Sequence, residues 1–435
     1  MERGKGMDKK IMDAYTSILH EELIPAMGCS EPIAIAYAGA IVRKALGKLP
    51  QRLQLVISGN IIKNVKSVIV PHTGGKKGIS AAVAAGICYG NADKELEVLS
   101  QATSSNYQML DSYLNQVSIT IQESDANSSF DIQIHAFADD DNAFVRILGN
   151  HTNVIKIQKN NDVFMEKPYQ DQVIQAAENR KRLTVKDIVA YADEVDLALV
   201  NAVIKRQIEC NQAIAEAGMH GEFGANIGKI LMDAYGNSVQ NRAKAYAAAA
   251  SDARMHGCEL PVVINSGSGN QGITCSVPVI EYAKELHADD ALLYRALIVS
   301  NLVTIHLKTQ IGCLSAYCGA TSAGVGAGAG VCYLYGGQYD EVAHTIVNAL
   351  AINSGMICDG AKASCAAKIA SAVEAGLLGM QMYQHHSQFY GGDGIIEKGV
   401  ENTIRAVSQI ARVGMRKTDH EIIHLMMDPS YSKCS

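Results

Sequence analysis

The sequence predicts an α+β protein in which a large all-helical domain accompanies a smaller α+β domain with an antiparallel sheet. Its 435 residues, of which 48% are hydrophobic, are enough to build more than one domain. Apolar residues recur at three- and four-residue steps near the N-terminus and again from about residue 184. Between these two regions, apolar and polar residues alternate. We expect N-terminal helices in 1–50 that pack on the helical domain, an α+β domain in 51–179 and the helical domain in 180–435.

The first fifty residues predict two helices. Ile11, Tyr15 and Leu19 share one face of the first helix, which Pro25 and the glycine at 28 end. A second apolar run, 33–46, follows a first-turn proline. Cys29 is therefore expected on the tight connection, at or near the N-terminus of the second helix.

Alternating and β-branched segments between residues 52 and 162 predict strands joined by turns rich in Asp, Asn, Ser and Gly. One helix, at about 78–90, interrupts them. The expected strands lie at 53–58, 65–70, 117–121, 132–137, 143–148 and 154–157. From about residue 184 the periodicity is helical, with breaks at 218–224, 261–278, 336–337 and 391–394.

Composition excludes several classes of function. The net charge of −6, scattered basic residues and the absence of Trp argue against a nucleic-acid-binding surface. No signal peptide precedes the first helix, and the stretch closest to a membrane span, 316–335, is mostly Gly and Ala. Eleven cysteines without a secretion signal predict a reducing, cytoplasmic setting. We expect a protein that acts on small molecules, with no nucleic-acid or membrane partner.

Cys29 is the first candidate for chemistry. A thiol at a helix N-terminus meets the positive end of the helix dipole, which lowers its pKa and favours a nucleophilic or basic thiolate. A buried structural cysteine in a turn would show the same flanking Gly and Pro, so that alternative stays open.

The segment 265–272 is a second candidate. Its glycines free backbone amides next to Ser266, Ser268 and Asn270, after a strand-like run and before an expected helix. Such a loop can hold a carboxylate or a phosphate. We expect these three residues to bind substrate, although loops of this composition also serve as plain connectors.

Cys318, Cys358 and Cys365 are candidate metal ligands. Cys358 and Cys365 are seven residues apart, so they share one face of a regular helix or converge if a loop intervenes. Three thiolates without a close fourth favour an iron–sulfur cluster that keeps one iron open. Spacing alone leaves zinc and no metal as alternatives, and Cys313 is a rival ligand.

Together, the segments 28–32, 266–272, 312–320 and 358–365 resemble the L-cysteine desulfidase family, which is related to the α domain of iron–sulfur L-serine dehydratases. The resemblance covers essentially the whole chain in the order and spacing of its motifs. It implies an oxygen-sensitive 4Fe–4S cluster, no pyridoxal phosphate and a carbon–sulfur lyase activity. The implied reaction is β-elimination of L-cysteine to sulfide, ammonia and pyruvate.

The resemblance also implies roles for residues. Cys318, Cys358 and Cys365 would hold three irons, Cys29 would accept the α-proton, and Cys313 matches no ligand position. The open iron would act as a Lewis acid toward the leaving sulfur. Residue 434, a cysteine close to the C-terminus, is a further hypothesis as a cap on that iron.

Three other interpretations stay open. A pyridoxal-phosphate lyase would use Lys308 or Lys362, an L-serine dehydratase-like lyase would remove a hydroxyl group, and a non-catalytic protein would only bind cysteine or a metal. His72 and His306 are minor candidates near the site. An alanine-rich helical surface favours a homodimer.

Overall fold

The computed structural model describes residues 6–124, 128, 130–168, 178–312 and 315–427. It confirms the α+β class, with a large helical part, one six-stranded sheet and one two-stranded sheet. The helices are α1 (Lys9–Glu22), α2 (Ser30–Leu46), α3 (Gly59–Val65), α4 (Gly78–Tyr89), α5 (Asn106–Gln116), α6 (Val185–Glu194), α7 (Asn201–His220), α8 (Ile227–Tyr235), α9 (Val239–Met255), α10 (Gly269–Glu285), α11 (Asp290–Ile311), α12 (Gly319–Leu334), α13 (Tyr339–Ile352), α14 (Ser364–Gln384), α15 (Val400–Gln409) and α16 (Arg416–Met427). The strands are β1 (Pro25–Met27), β2 (Arg52–Ile57), β3 (Ser118–Glu123), β4 (Asp131–Ala138), β5 (Asp141–Leu148), β6 (Val154–Lys159), β7 (Asp162–Glu166) and β8 (Pro261–Val263).

The larger sheet has the strand order β3-β2-β4-β5-β6-β7. Every neighbouring pair is antiparallel, as expected, except β2 and β3, which run parallel and make the sheet mixed at that edge. Three helices lie between β2 and β3 along the chain, and a connection of that length allows a parallel pair. Leu53, Leu55 and Ile57 of β2 alternate into the core, as their period of two predicts.

Two of these three intervening helices were not expected, and one expected strand is absent from the described residues. Helix α3 ends at Val65, and the 65–70 segment that follows contributes only an isolated bridge between Ile69 and Lys77. Val65, Val68 and Val70 are nevertheless fully buried. Their β-branched side chains therefore reported burial and not a strand, because a short apolar run has no diagnostic period.

Both N-terminal helices form as expected, and α2 lies closer to the sheet than the sequence indicated. It packs against α4 and against strands β4 and β5. The approach to α4 is close, because a Cβ placed on Gly86 would lie 1.9 Å from the carbonyl oxygen of Ala36. The division of the chain into units at residues 50 and 179 stays a prediction.

The short sheet joins the N-terminal segment to the helical region. Strand β1 pairs antiparallel with β8, in the register Pro25 to Val263 and Met27 to Pro261. Helix α10 then begins at Gly269 and continues through Pro278, so the expected break at 261–278 is shorter than predicted. Because the strands are antiparallel, the end of β1 lies beside the start of β8, and Ile264 after β8 donates to the carbonyl oxygen of Ile24 before β1.

Helices α12 and α14 approach each other more closely than side chains would permit. A Cβ on Gly324 would lie 2.2 Å from the carbonyl oxygen of Ala372, and one on Gly328 would lie 2.4 Å from that of Gly376. A Cβ on Gly376 would in turn lie 2.1 Å from the carbonyl oxygen of Gly324. Glycines thus let the two backbones touch, which fixes how the helices cross.

Helix α11 is the one helix in the described part of the chain that is long and apolar enough to cross a membrane. About two thirds of its most apolar window is buried inside the fold. Core helices have the same length and composition, so this helix is weak support for a membrane span.

We expect Gly328→Ala to destabilise the protein by about 1–3 kcal/mol, because the added methyl group overlaps the Gly376 backbone and forces α12 from α14. Chemical denaturation measures the change. Gly414→Ala is the control, since its Cβ would have its nearest neighbour at 3.7 Å. Equal denaturation midpoints for the two variants would contradict the close packing.

Candidate active site

Cys318 and Cys358 are brought together by a short antiparallel bridge between Tyr317 and Ile357. The Cys318 amide donates to the carbonyl oxygen of Met356 at 2.9 Å, and the two cysteine side chains are hydrogen-bonded to each other. This hydrogen bond lowers the pKa of Cys358 and raises the pKa of Cys318, which is also buried. One thiol of the pair therefore loses its proton much more readily than the other.

Cys365 joins this pair from the beginning of α14. Its amide donates to the carbonyl oxygen of Lys362 at 3.0 Å, and its sulfur lies 3.8 Å from the carbonyl oxygen of Gly360. Electrostatic interactions link it to both Cys318 and Cys358. Burial raises the pKa of Cys365, and the neighbouring Cys358 raises it further.

Cys29 lies next to Cys365. It is the residue that caps α2, as expected, and its side chain is 1% exposed. It packs with Val68 and Met255, and Cys365 packs against the same small cluster. Cys29 Sγ donates to Met255 Sδ at 3.8 Å.

We expected the α2 dipole to lower the pKa of Cys29. This expectation was wrong, because the net shift of that pKa is upward. Burial raises the pKa of Cys29 to about 12, although the Arg254 guanidinium opposes the change. Loss of solvation penalises the thiolate more than one helix terminus and one cation stabilise it.

Arg254 is a site residue that the sequence did not reveal. It is 2% exposed, near the end of α9, and it hydrogen-bonds Cys29. Its Nε donates to the carbonyl oxygen of Gly28 at 2.8 Å, and its Nη1 donates to Asn270 Oδ1 at 3.0 Å. An arginine in an alanine-rich helix carries no motif, and only its burial distinguishes it.

The 265–272 loop lies beside Cys29, because Ser30, Arg254 and Met255 contact both. Ser266 and Gly267 have φ angles of +50° and +74°, and the carbonyl oxygen of Gly267 accepts a hydrogen bond from Ser30 Oγ at 2.8 Å. Ser268 caps α10 by accepting from an amide in its first turn. Asn270 Nδ2 points to Met255 Sδ at 3.9 Å, which places this amide next to Cys29.

The site is electropositive. Helices α2, α10, α12 and α14 all begin here, and their N-terminal amides and dipoles favour anions. Lys63 and Lys308 are 3% and 4% exposed, and both lower the pKa of Cys358. Lys63 also pairs with Asp419 at 2.6 Å.

Residues 359–368 also carry charged side chains close to the cysteines. Lys362 and Lys368 both form ion pairs with Asp359. Burial alone would raise the pKa of Asp359, but the two lysines lower it to about 2. The loop that carries Cys358 and Cys365 is therefore held in place by ion pairs.

The minor candidates have other neighbours. His72 Nδ1 lies 3.1 Å from Glu259, and His306 Nε2 lies 2.8 Å from Glu401. Cys313 and Cys434 lie outside the described residues. Within the described ranges, no three His, Cys, Asp or Glu side chains are arranged to hold a single metal ion.

Comparison with known proteins agrees with this architecture. A family model described as serine dehydratase alpha chain matches residues 93–424. A UPF0597 protein of Desulfitobacterium hafniense (strain Y51) is 54% identical over 414 residues, which cover 95% of this chain and 96% of that protein. UPF0597 proteins of Finegoldia magna and Treponema denticola are 46% and 44% identical, over 96% and 97% of this chain and 100% and 99% of their own. The chain therefore belongs to the serine dehydratase alpha chain family, and more narrowly to the family of these UPF0597 proteins.

Proposed function

We propose that this protein is an iron–sulfur-dependent amino-acid lyase that converts L-cysteine to sulfide, ammonia and pyruvate. One observation carries the proposal: Cys29, Cys318 and the pair Cys358 and Cys365 come from three distant segments and lie close together, with Cys29, Cys318 and Cys365 at helix N-termini. Membership of the serine dehydratase alpha chain family supports lyase chemistry.

The thiols of Cys318, Cys358 and Cys365 suit an iron–sulfur cluster. Cluster ligands must be thiolates, and Lys63 and Lys308 favour the thiolate of Cys358. A cluster spreads its ligands over several irons, so the three sulfurs need not meet at one ion. When bound through three cysteines, a 4Fe–4S cluster supplies an iron with an open position, a Lewis acid for the departing sulfur.

Cys29 is the proposed base. β-Elimination moves the α-proton of the substrate to Cys29 Sγ, breaks the Cβ–S bond and leaves aminoacrylate, which water hydrolyses to pyruvate and ammonia. Because burial raises the pKa of Cys29, its thiolate is a minor but strongly basic species. Arg254 hydrogen-bonds this thiolate and increases its share.

Asn270 is the best placed of the three expected substrate-binding residues. Arg254 holds its Oδ1, so its Nδ2 faces Met255 and, among the described residues, has no stronger acceptor than sulfur. An amide N–H in that position can donate to the substrate carboxylate. The Ser268 hydroxyl accepts a hydrogen bond and donates none to the described residues, so it can donate to a ligand. Ser266 already donates to Asn265 Oδ1 at 2.9 Å.

L-Serine is the second candidate substrate, because the matching family model describes a serine dehydratase chain. The same base and carboxylate site would serve either amino acid, and only the leaving group differs.

We expect anaerobically purified protein to release sulfide and pyruvate in equal amounts from L-cysteine. A larger kcat/KM for L-serine would establish the second candidate, and no turnover of either would contradict the lyase function.

The ligand assignment predicts a specific pattern of iron loss. Alanine in place of Cys318, Cys358 or Cys365 should each lower the iron bound per chain and the visible absorption of oxygen-free protein. Cys332→Ala is the matched control, because Cys332 is a buried thiol at the opposite end of the same helix as Cys318. Iron content that falls equally in all four variants would contradict the assignment.

The role of Cys29 predicts a dependence on pH. Because its pKa is raised to about 12, the thiolate fraction grows as pH rises, and kcat at saturating L-cysteine should increase between about pH 7 and pH 9. Cys29→Ala should lower kcat at least about 100-fold while iron content is retained. Cys210→Ala, a buried thiol in α7, should keep the wild-type profile. A flat profile or an active Cys29→Ala variant would exclude this base.

A further inference from the structure

We propose that Glu31 binds the α-ammonium group of the amino-acid substrate, a role that rests on the lyase function proposed above. It would make the site specific for α-amino acids over the corresponding thiols that lack an amino group. Glu31 lies in the first turn of α2, two residues after Cys29.

Glu31 is a buried carboxylate with neutral partners. Its side chain belongs to a residue that is 8% exposed. Oε1 accepts a hydrogen bond from Asn64 Nδ2 at 3.1 Å, and Oε2 accepts one from Ser30 Oγ at 3.2 Å. Among the residues that the structure describes, no Lys, Arg or His nitrogen lies within 4.0 Å of either oxygen.

A buried carboxylate without a directly paired cation depends on dipoles and neutral donors, which for Glu31 are the α2 N-terminus, Asn64 and Ser30. A carboxylate offers about four lone-pair positions, so Glu31 retains capacity for further donors. An ammonium group supplies both the missing charge and those donors. The unmatched charge therefore suits a cationic ligand group.

The surroundings of Glu31 match the rest of the substrate. The Ser30 hydroxyl lies between Glu31 Oε2 and the carbonyl oxygen of Gly267 and shares its one proton between them, so it ties this carboxylate to the 265–272 loop. A Cβ on Gly267 would lie 2.8 Å from His151 Cε1, and both Glu31 and Arg254 interact electrostatically with that ring. The His151 imidazole is thus close to one negative and one positive side chain. An amino-acid substrate carries a positive ammonium group and a negative carboxylate, so it needs one charge of each sign.

His151 supports the same position for the ligand. Its Nε2 is buried and finds no hydrogen-bond partner among the described residues. Buried polar atoms are rarely left unpaired, so an unpartnered nitrogen beside the loop indicates a missing group. The substrate would then lie with its carboxylate toward Arg254 and Asn270, and its ammonium toward Glu31.

The test compares two ligands and one isosteric change. On iron-loaded protein without oxygen, the affinity for L-cysteine is taken from the KM of sulfide release, and the affinity for 3-mercaptopropionate, which lacks the amino group, from its inhibition constant. Glu31→Gln should weaken L-cysteine binding about 10- to 100-fold, the usual effect of losing a hydrogen bond between charged groups. Binding of 3-mercaptopropionate should change less than about threefold, because it has no ammonium group to lose.

Glu285→Gln is the control, since Glu285 is an exposed partner of Arg242 at the far end of α10, and it should bind both ligands like wild type. If Glu31→Gln does not melt cooperatively, Asn64→Ala replaces it. This change removes the hydrogen bond that orients the Glu31 carboxylate, so it should weaken only L-cysteine binding. Equal weakening of both ligands would overturn the role of Glu31 and leave the lyase intact. Wild-type protein that binds neither ligand would overturn the proposed function itself.

Discussion

The backbone contact between α12 and α14 is the constraint on which the candidate site depends. Gly324, Gly328 and Gly376 let these helices meet without intervening side chains, so their relative position is fixed along their length. Cys318 precedes the first of these helices, and Cys365 lies in the first turn of the second. Small residues far from the chemistry therefore determine how close two of the thiols lie.

Short strands complete the arrangement that the helices begin. The Tyr317–Ile357 bridge brings Cys358 to Cys318, and the β1–β8 pair joins the strand before Cys29 to the strand before the 265–272 loop. Each pairing involves only a few backbone hydrogen bonds between segments that are distant in sequence. These pairings position the site through backbone geometry, and the side chains of Arg254 and Asp359 add hydrogen bonds and ion pairs to it.

Charge inside the site is divided between two sides. The hydrogen bond with Cys318 and the nearby Lys63 and Lys308 lower the pKa of Cys358, whereas burial raises the pKa of Cys29. Arg254 and Glu31 place opposite charges within range of His151. A site that binds a metal cluster through anionic sulfur and a zwitterion through paired charges would need this separation, because like charges would otherwise compete for the same groups.

The sequence by itself determined the α+β class, the helices on either side of Cys29 and the residue types that can bind metal, because periodicity, capping and cysteine chemistry are local properties. It did not determine the parallel β2–β3 pair, and it mistook the buried 65–70 segment for a strand. Only the tertiary structure placed Arg254 at the site and gave the shift in the pKa of Cys29 its sign. The physical reason is that burial and long-range contacts decide solvation, and solvation outweighs the local effect of a helix terminus.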